Sequence, residues 1–527
     1  MQYHNPIIPG FAPDPSCIFV NDVYFLVNSS FHVFPGLPVY ASRDLQNWTH
    51  IGNAINRPDQ LSLENAITEQ FPIGRKSTLY AALGLVAPTI RYYDGKFYVV
   101  CTNITTSDEG LIYSNFYVST TDPWTAAWCD PIFFDFNGTD TSLFFDDDGR
   151  AYIQGSHRGG PSWNPKCTIH QLEINIEDGT IKVPSQEIWR GHTDQEDAEG
   201  PHVYKKDGYY YLVITEAGAF EHHMITIARA ENVHGPYTSF PLSPVLKAQD
   251  TGSVIQNTGH GDIFQGRYGQ WWCVYIGVRD LDGRYPLGRE TFLSPVTWVE
   301  GQWPVIEQPR SSFERSMPYV PITKRPSSPT LECDPTADNV YIRTPRLQNY
   351  SLKRRKVSLI PDKTDLSCVT GTTSFVGRRQ RSLHCDAVVS FAAQQPMPSE
   401  TKLSLSVYKD NFRYLSVEYD KEKSAVSLKV KLGSRDLHTP ISYTIKDADN
   451  ITLQICARPE AFYFFYRASS LAQRWEMLGS VDTRDFTNLD FTGPIIGVGA
   501  TSQHNQGKVA VTFHDFNITV DRDGLLR

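Results

Sequence analysis

The first half of the chain repeats one hairpin five times, and no other feature constrains its fold as much. A tight-turn sequence followed by an aromatic, β-branched run recurs at Asn21-Asp-Val-Tyr-Phe-Leu-Val27, Asp94-Gly-Lys-Phe-Tyr-Val-Val100, Asp148-Gly-Arg-Ala-Tyr-Ile-Gln154, Asp207-Gly-Tyr-Tyr-Tyr-Leu-Val213 and Tyr268-Gly-Gln-Trp-Trp-Cys-Val274. Asp-Gly supplies the positive φ that tight hairpin turns need. The copies start 73, 54, 59 and 61 residues apart, room for a four-stranded antiparallel unit and its loops each time. Later strands of the units show at Pro38-Val-Tyr-Ala-Ser42, Asn115-Phe-Tyr-Val-Ser119 and Met224-Ile-Thr-Ile-Ala228. Five such units in series predict an all-β fold with a five-bladed β-propeller over residues 1–308. Two stacked β-sandwiches are the alternative.

The repeat phase carries a functional expectation. The first strand of each propeller blade lies at the axis, so residues at one phase point to one central spot. Eight residues before the repeat starts stand Val86, Asp140, Glu199 and His260, and seven before the first stands Asp14. Any one of these polar residues reads as a turn cap; three carboxylates and an imidazole at one phase predict a cluster. Like charges brought together raise one another's pKa, so one carboxyl holds a proton while another stays ionised. That is the equipment for glycosidic hydrolysis. A metal site is the rival reading, but the spacing matches neither zinc nor an EF-hand, which leaves a calcium at the propeller centre, held largely through water near His260.

Composition narrows the partners. Hydrophobic residues make up 40% and aromatic ones 12%, enough for a large core, which excludes disorder. The net charge of −9, with no long basic block, excludes nucleic acid and anionic membrane. No 18 apolar residues run together and the N-terminus lacks the pattern of a signal peptide, so neither a membrane span nor a leader is expected in this sequence. Nine scattered cysteines without a CxxC imply neither a zinc cluster nor a disulfide framework. Seven N-x-S/T sequons, at Asn28, Asn47, Asn103, Asn137, Asn349, Asn450 and Asn517, modestly exceed chance and point to an extracellular protein.

Past Val305 the repeat fades and Pro309, Pro318, Pro321, Pro326, Pro329 and Pro335 mark a linker over residues 309–344. Alternating strands such as Leu403-Ser-Leu-Ser-Val-Tyr-Lys and Phe462-Tyr-Phe-Phe-Tyr then predict a β-sandwich over 345–527. Such a sandwich is compatible with carbohydrate binding.

Several segments together resemble glycoside hydrolase family 43, most nearly its two-domain β-xylosidases and α-L-arabinofuranosidases. They are Asn5-Pro-Ile-Ile-Pro-Gly-Phe-Ala-Pro-Asp14-Pro-Ser, Ala87-Pro-Thr, Thr139-Asp140-Thr-Ser-Leu-Phe-Phe-Asp-Asp-Asp-Gly, Glu199-Gly-Pro-His-Val-Tyr, Gly259-His-Gly-Asp and Leu287-Gly-Arg289-Glu-Thr. The resemblance implies an inverting exo-hydrolase with Asp14 as general base, Glu199 as general acid and Asp140 as the carboxylate that tunes the acid and orients the sugar. It also implies Arg289 against the sugar hydroxyls and Phe31 and Phe34 lining the pocket. Glu216, His222 and His223 match a family segment at the inner end of blade four, which makes Glu216 and His222 candidates for binding the substrate, with a structural role as the alternative. Where relatives often carry an aromatic residue, this chain has Val86, so the subsite floor differs. The implied activity is β-xylosidase on xylooligosaccharides, with α-L-arabinofuranosidase on arabinoxylan or arabinan side chains, alone or in addition, as the alternative. A non-catalytic carbohydrate-binding propeller is the reading from a different class. No cofactor is required on this reading.

Overall fold

The structure is a computed structural model that describes residues 1–73, 77–108, 110–159, 166–193, 197–249, 251–316, 337–433, 435–445, 448–469, 474–487, 490–505 and 508–520. Contacts divide the chain into two compact units. The first is formed by residues 1–61, 83–278 and 289–337, the second by 62–82, 279–288 and 338–527. The boundary expected at 308 is therefore not a single cut, because two excursions from the repeat region join the C-terminal unit. Residues 317–336 of the expected linker lie outside the described residues.

The first unit holds the five blades. Their first strands are Ser16–Val20, Gly84–Tyr93, Gly138–Phe145, Glu199–Lys206 and Ile255–Gln265, each continuing outward into an antiparallel sheet. Each first strand packs against the next around the ring, and Ile255–Gln265 returns to Ser16–Val20. In three of the hairpins both loop residues have positive φ, at Asn21 and Asp22, Asp94 and Gly95, and Asp207 and Gly208, as a tight primed turn needs. The aromatic run after each turn forms the second strand, one step out from the axis. There its rings fill the seams between blades: Tyr24 and Trp272 between blades five and one, Tyr98 with Leu143 and Ile153 between two and three, Tyr211 with Tyr275 between four and five. The N-terminus straps the ring shut. Gln2–His4 pairs with Ser312–Glu314, and the Asn5 amide exchanges two 2.9 Å hydrogen bonds with the backbone of Leu293.

The second unit is a sandwich of a seven-stranded and a six-stranded antiparallel sheet. Strand Cys385–Ala392 alternates strictly between buried and half-buried residues, and Ala461–Ala468 does the same, the period-two pattern of a strand with one face in the core. The annexed hairpin, Thr68–Ile73 with Ser77–Ala82, is held to this sandwich by buried charge. Arg343 donates to the carbonyls of Ala66 (3.1 Å) and Cys368 (2.9 Å). Arg413 pairs with Asp410 and, at 2.6 Å, with Asp490, which also accepts from Lys409, while the Tyr80 ring lies 4.2 Å from the Arg413 guanidinium. All four charged side chains are at most 1% exposed, two positive and two negative, so the group is neutral as a whole. Replacing Arg413 by Met strands a buried carboxylate and is expected to cost about 3–5 kcal/mol in urea unfolding. Lys402→Met, at a half-exposed pair, is expected to change stability by less than about 0.5 kcal/mol.

Candidate active site

On the first strand of blades two to five, and just before it in blade one, the backbone turns left-handed near the inner end. The residues are Asp14 (φ 50°), Ala87 (47°), Asp140 (56°), Gly200 (54°) and His260 (41°). In blades two, three and four the pairing with the second strand slips there, between Val100 and Thr102, Thr139 and Ser142, and Glu199 and His202. Each is a β-bulge, which bends the strand and re-aims a side chain. Non-glycine residues enter this region at a cost of about 1–3 kcal/mol, and Asp is among those that tolerate it. Gly200 has a second reason to be glycine: a Cβ would stand 2.9 Å from His260 Nδ1.

The equivalence expected from sequence is thereby corrected by one residue. Asp14, Asp140 and His260 are the left-handed residues of their blades, but Val86 and Glu199 precede theirs. The reason is turn length. Val20 pairs with Val23, Tyr93 with Lys96 and Lys206 with Tyr209 across two-residue loops, whereas Asp146 bonds to Arg150 and Gly266 to Gln270 across three. The extra residue in blades three and five shifts the count back from the repeat.

The three carboxylates have different surroundings. Asp14 accepts a 2.6 Å hydrogen bond from Ser29 Oγ, which in turn accepts the Ala87 N–H at 2.6 Å. Arg289 Nη1 stands 3.7 Å from Asp14 Oδ1, with Nη2 anchored on the Ala219 carbonyl (2.8 Å) and the guanidinium 5.5 Å from the Phe220 ring. Asp140 has Ser156 Oγ at 3.5 Å. Glu199 Oε1 lies 3.1 Å from Arg158 Nη2 and 3.8 Å from the Cys167 thiol. Burial raises the Glu199 carboxyl from its ordinary value; Arg158 opposes that shift and the charge of Asp140 adds to it. Asp140 sits on the blade next to Glu199, while Glu199 and Asp14 are separated by one blade one way round the ring and by two the other way.

The remaining expected residues fall in different places. Phe31, Phe34 and Val86 are 2%, 1% and 8% exposed. Phe31 forms a backbone bridge to Leu85 and stacks on Phe11, and Val86 O accepts from the Cys101 thiol. Phe34 is sealed into the core and offers almost no surface to a ligand. Glu216 is fully buried, and its two oxygens accept from His192 N, Thr193 N, Thr193 Oγ1 and Thr226 Oγ1 at 2.5–3.0 Å. It therefore holds the 192–193 loop, with no oxygen left for a sugar. His222 is exposed and its ring meets Gln249, whereas His223 is the buried neighbour, influenced by Arg289 and His260. Ser29, Cys167 and Arg158 were invisible to the repeat phase because they stand on second and third strands or just beyond a strand's end.

Residues 3–304 match glycosyl hydrolases family 43, and residues 338–519 match the beta xylosidase C-terminal concanavalin A-like domain. The chain belongs to glycosyl hydrolase family 43. This family 43 chain is a glycoside hydrolase. It is 31% identical to a xylosidase/arabinosidase of Butyrivibrio fibrisolvens over 81% of each chain. It is also 31% identical to a non-reducing end alpha-L-arabinofuranosidase of Bacteroides ovatus over 98% of this chain and 94% of that one. A solved xylan beta-1,4-xylosidase from Bacillus halodurans superposes with a TM-score of 0.84 at 26% identity, covering 98% of this chain and 100% of the other.

At the axis of the family 43 propeller stands an ion pair. Arg91 makes a fork with Asp262, Nη1 to Oδ2 at 2.8 Å and Nη2 to Oδ1 at 3.2 Å, and Nη2 also donates to His202 Nδ1 at 3.0 Å. Asp262 further accepts from Ser16 Oγ (2.5 Å), Cys17 N (3.3 Å) and Tyr204 OH (2.6 Å). The expected calcium can be tested against these residues. His260 has His202 beside it, at 6.4 Å between ring centroids, but that ring's Nδ1 is engaged by Arg91 and both oxygens of Asp262 are taken. Among the described residues no three His, Cys, Asp or Glu side chains gather in metal-binding geometry. The donors present do not fit a calcium ligated by protein at the axis; only His260 with water remains to it.

Burial lowers His202 to a pKa of about 3, with Arg91 acting in the same direction, and burial lowers His223 to about 3. Both folded values lie below the unfolded value of about 6.5, so the unfolded chain binds more protons between the two. Their contribution to stability is complete above about pH 6.5 and is lost as pH falls toward 3, by up to about 1.4 kcal/mol per pH unit for each. The urea midpoint is therefore expected to fall from pH 7 to pH 5, and to fall less in His202→Asn, whose amide oxygen can accept from Arg91. An identical fall in both proteins would contradict this assignment.

Proposed function

We propose that the chain is an inverting, exo-acting β-xylosidase that releases xylose from the non-reducing ends of xylooligosaccharides. Asp14 removes a proton from a water whose oxygen attacks the anomeric carbon. The bond to the leaving sugar breaks with its electron pair on the glycosidic oxygen, which takes the proton of Glu199. The observation that carries this reading is the contrast between these two groups, set on non-adjacent blades. Glu199 is a carboxyl whose proton is held by burial, while Asp14 faces the Arg289 cation and a hydroxyl donor. Inversion needs the acid and base about 6.5–9.5 Å apart with a water between them, and an intervening blade suits that separation. Every step uses carboxyls and water, and none is routed through a metal.

The relatives support the sugar. One is named a xylosidase/arabinosidase and a solved neighbour a xylan beta-1,4-xylosidase. The relative named a non-reducing end alpha-L-arabinofuranosidase favours a second reading, arabinofuranosidase activity at the same site, since the two sugars present similar hydroxyl patterns. An extracellular location rests on exposed sequons; Asn47, Asn137 and Asn450 are exposed, but Asn28 and Asn103 are buried and contribute nothing to it.

The test is hydrolysis of aryl β-xyloside and aryl α-L-arabinofuranoside, with NMR of the first-formed anomer. Wild type is expected to turn over the xyloside and release α-xylose, and Asp14→Asn and Glu199→Ala to lose about 10²–10⁴ in kcat on xylobiose. Release of β-xylose would overturn inversion, and turnover of the arabinofuranoside alone would select the second reading.

A further inference from the structure

Arg158 is the penultimate residue of the second strand of blade three, Ala151–Gly159, and its side chain crosses to blade four to meet Glu199. Its backbone is pinned on both sides to Asn137, N to O at 3.1 Å and O from Nδ2 at 3.3 Å, which fixes where the side chain starts. The Nη2 that meets Glu199 Oε1 also donates to Thr139 Oγ1 at 3.1 Å, one residue before Asp140. Its Nε is buried without a hydrogen-bond partner among the described residues. A buried donor left unmade costs about 1–3 kcal/mol, so folding alone gives no reason for a guanidinium in this place. The contacts on Glu199 are moreover one-sided: Arg158 and the Cys167 thiol both address Oε1.

We propose that Arg158 is a positioning residue for the general acid. It holds Oε1, leaves Oε2 to carry the proton toward the departing oxygen, and stabilises the carboxylate that remains once the proton has gone. A general acid has to keep its proton until the bond breaks and then regain one for the next turnover. Burial secures the first requirement; a cation on the opposite oxygen favours release of the proton and keeps burial from raising the carboxyl so far that it no longer gives the proton up. Asp140 feels the same guanidinium, so Arg158 balances the two neighbouring negative charges.

The inference rests on Glu199 being the acid, and its test separates the two ideas by leaving group. Dinitrophenyl β-xyloside has a leaving group that needs no protonation, whereas xylobiose has one that does. Arg158→Met is expected to lower kcat on xylobiose about tenfold or more with KM little changed, and to leave kcat on the dinitrophenyl substrate near wild type. The alkaline limb of its kcat/KM profile is expected to move up by about 1 pH unit. Arg158→Lys keeps the charge and is expected to keep the limb near its wild-type position, which also decides the matter if the Met variant does not fold. Equal losses on both substrates, or a rise in KM with an unmoved limb, would overturn the proposal. Glu199→Gln measured on the same pair tests the underlying assignment: if it loses as much on the dinitrophenyl substrate as on xylobiose, Glu199 is not the acid, whatever Arg158 does.

Discussion

Asp262 has no solvent exposure yet carries its charge at the centre of the propeller, and the arrangement of the blades depends on how that charge is satisfied. Five donors converge on its two oxygens, from Arg91, Ser16, Cys17 and Tyr204, which belong to blades two, one and four, while Asp262 itself belongs to blade five. A carboxylate taken out of water is unfavourable by several kcal/mol unless its partners are in place. No one blade can supply them, so the network exists only when the ring is assembled. The pull on Asp262 is visible in its pKa, lowered to about 2 because Arg91 and the surrounding donors outweigh the burial that opposes them. The aromatic seams between blades supply area; this network supplies register, since a blade displaced by one residue would leave a donor unmade.

That fixed axis is what makes the strained bulges useful. Five left-handed residues near the inner ends of the blades would be a liability in a loose sheet, because each could relax by slipping its strand. Here the strand following three of these residues is held a few residues further on: Arg91 is four residues past Ala87, Asp262 two past His260, and Tyr204 four past Gly200. The same first strands thus serve two ends, an ionic anchor toward the middle and a presenting bulge at the mouth, where Asp14, Asp140 and Glu199 stand.

The repeat made much of this readable in advance. Turn chemistry announced the hairpins, and counting back from them reached the carboxylates because β-structure has a fixed period. The count failed by one residue at Val86 and Glu199 because a third loop residue in blades three and five is not marked by its composition. Arg91 and Arg158 were not legible, since an arginine in a strand looks like any solvated edge charge until the facing blade is known. Glu216 misled for the converse reason. A carboxylate beside the right motif looks like a sugar ligand in sequence, and only the four donors around it show that it holds a loop. The domain limits were the least legible part, because a boundary drawn from prolines assumes that each domain is one continuous stretch.

The two annexed segments give the chain an unusual schedule. Residues 62–82 belong by contact to a unit whose last described strand, Val511–Val520, lies more than 400 residues later. At about 5–20 residues per second of synthesis, the hairpin bearing Tyr80 waits on the order of tens of seconds before Arg413 and Asp490 are all available to receive it. During that interval the propeller's own strands can pair, but the hairpin has no partner sheet. A chain that stops early therefore fails not only in its missing end but also near its beginning.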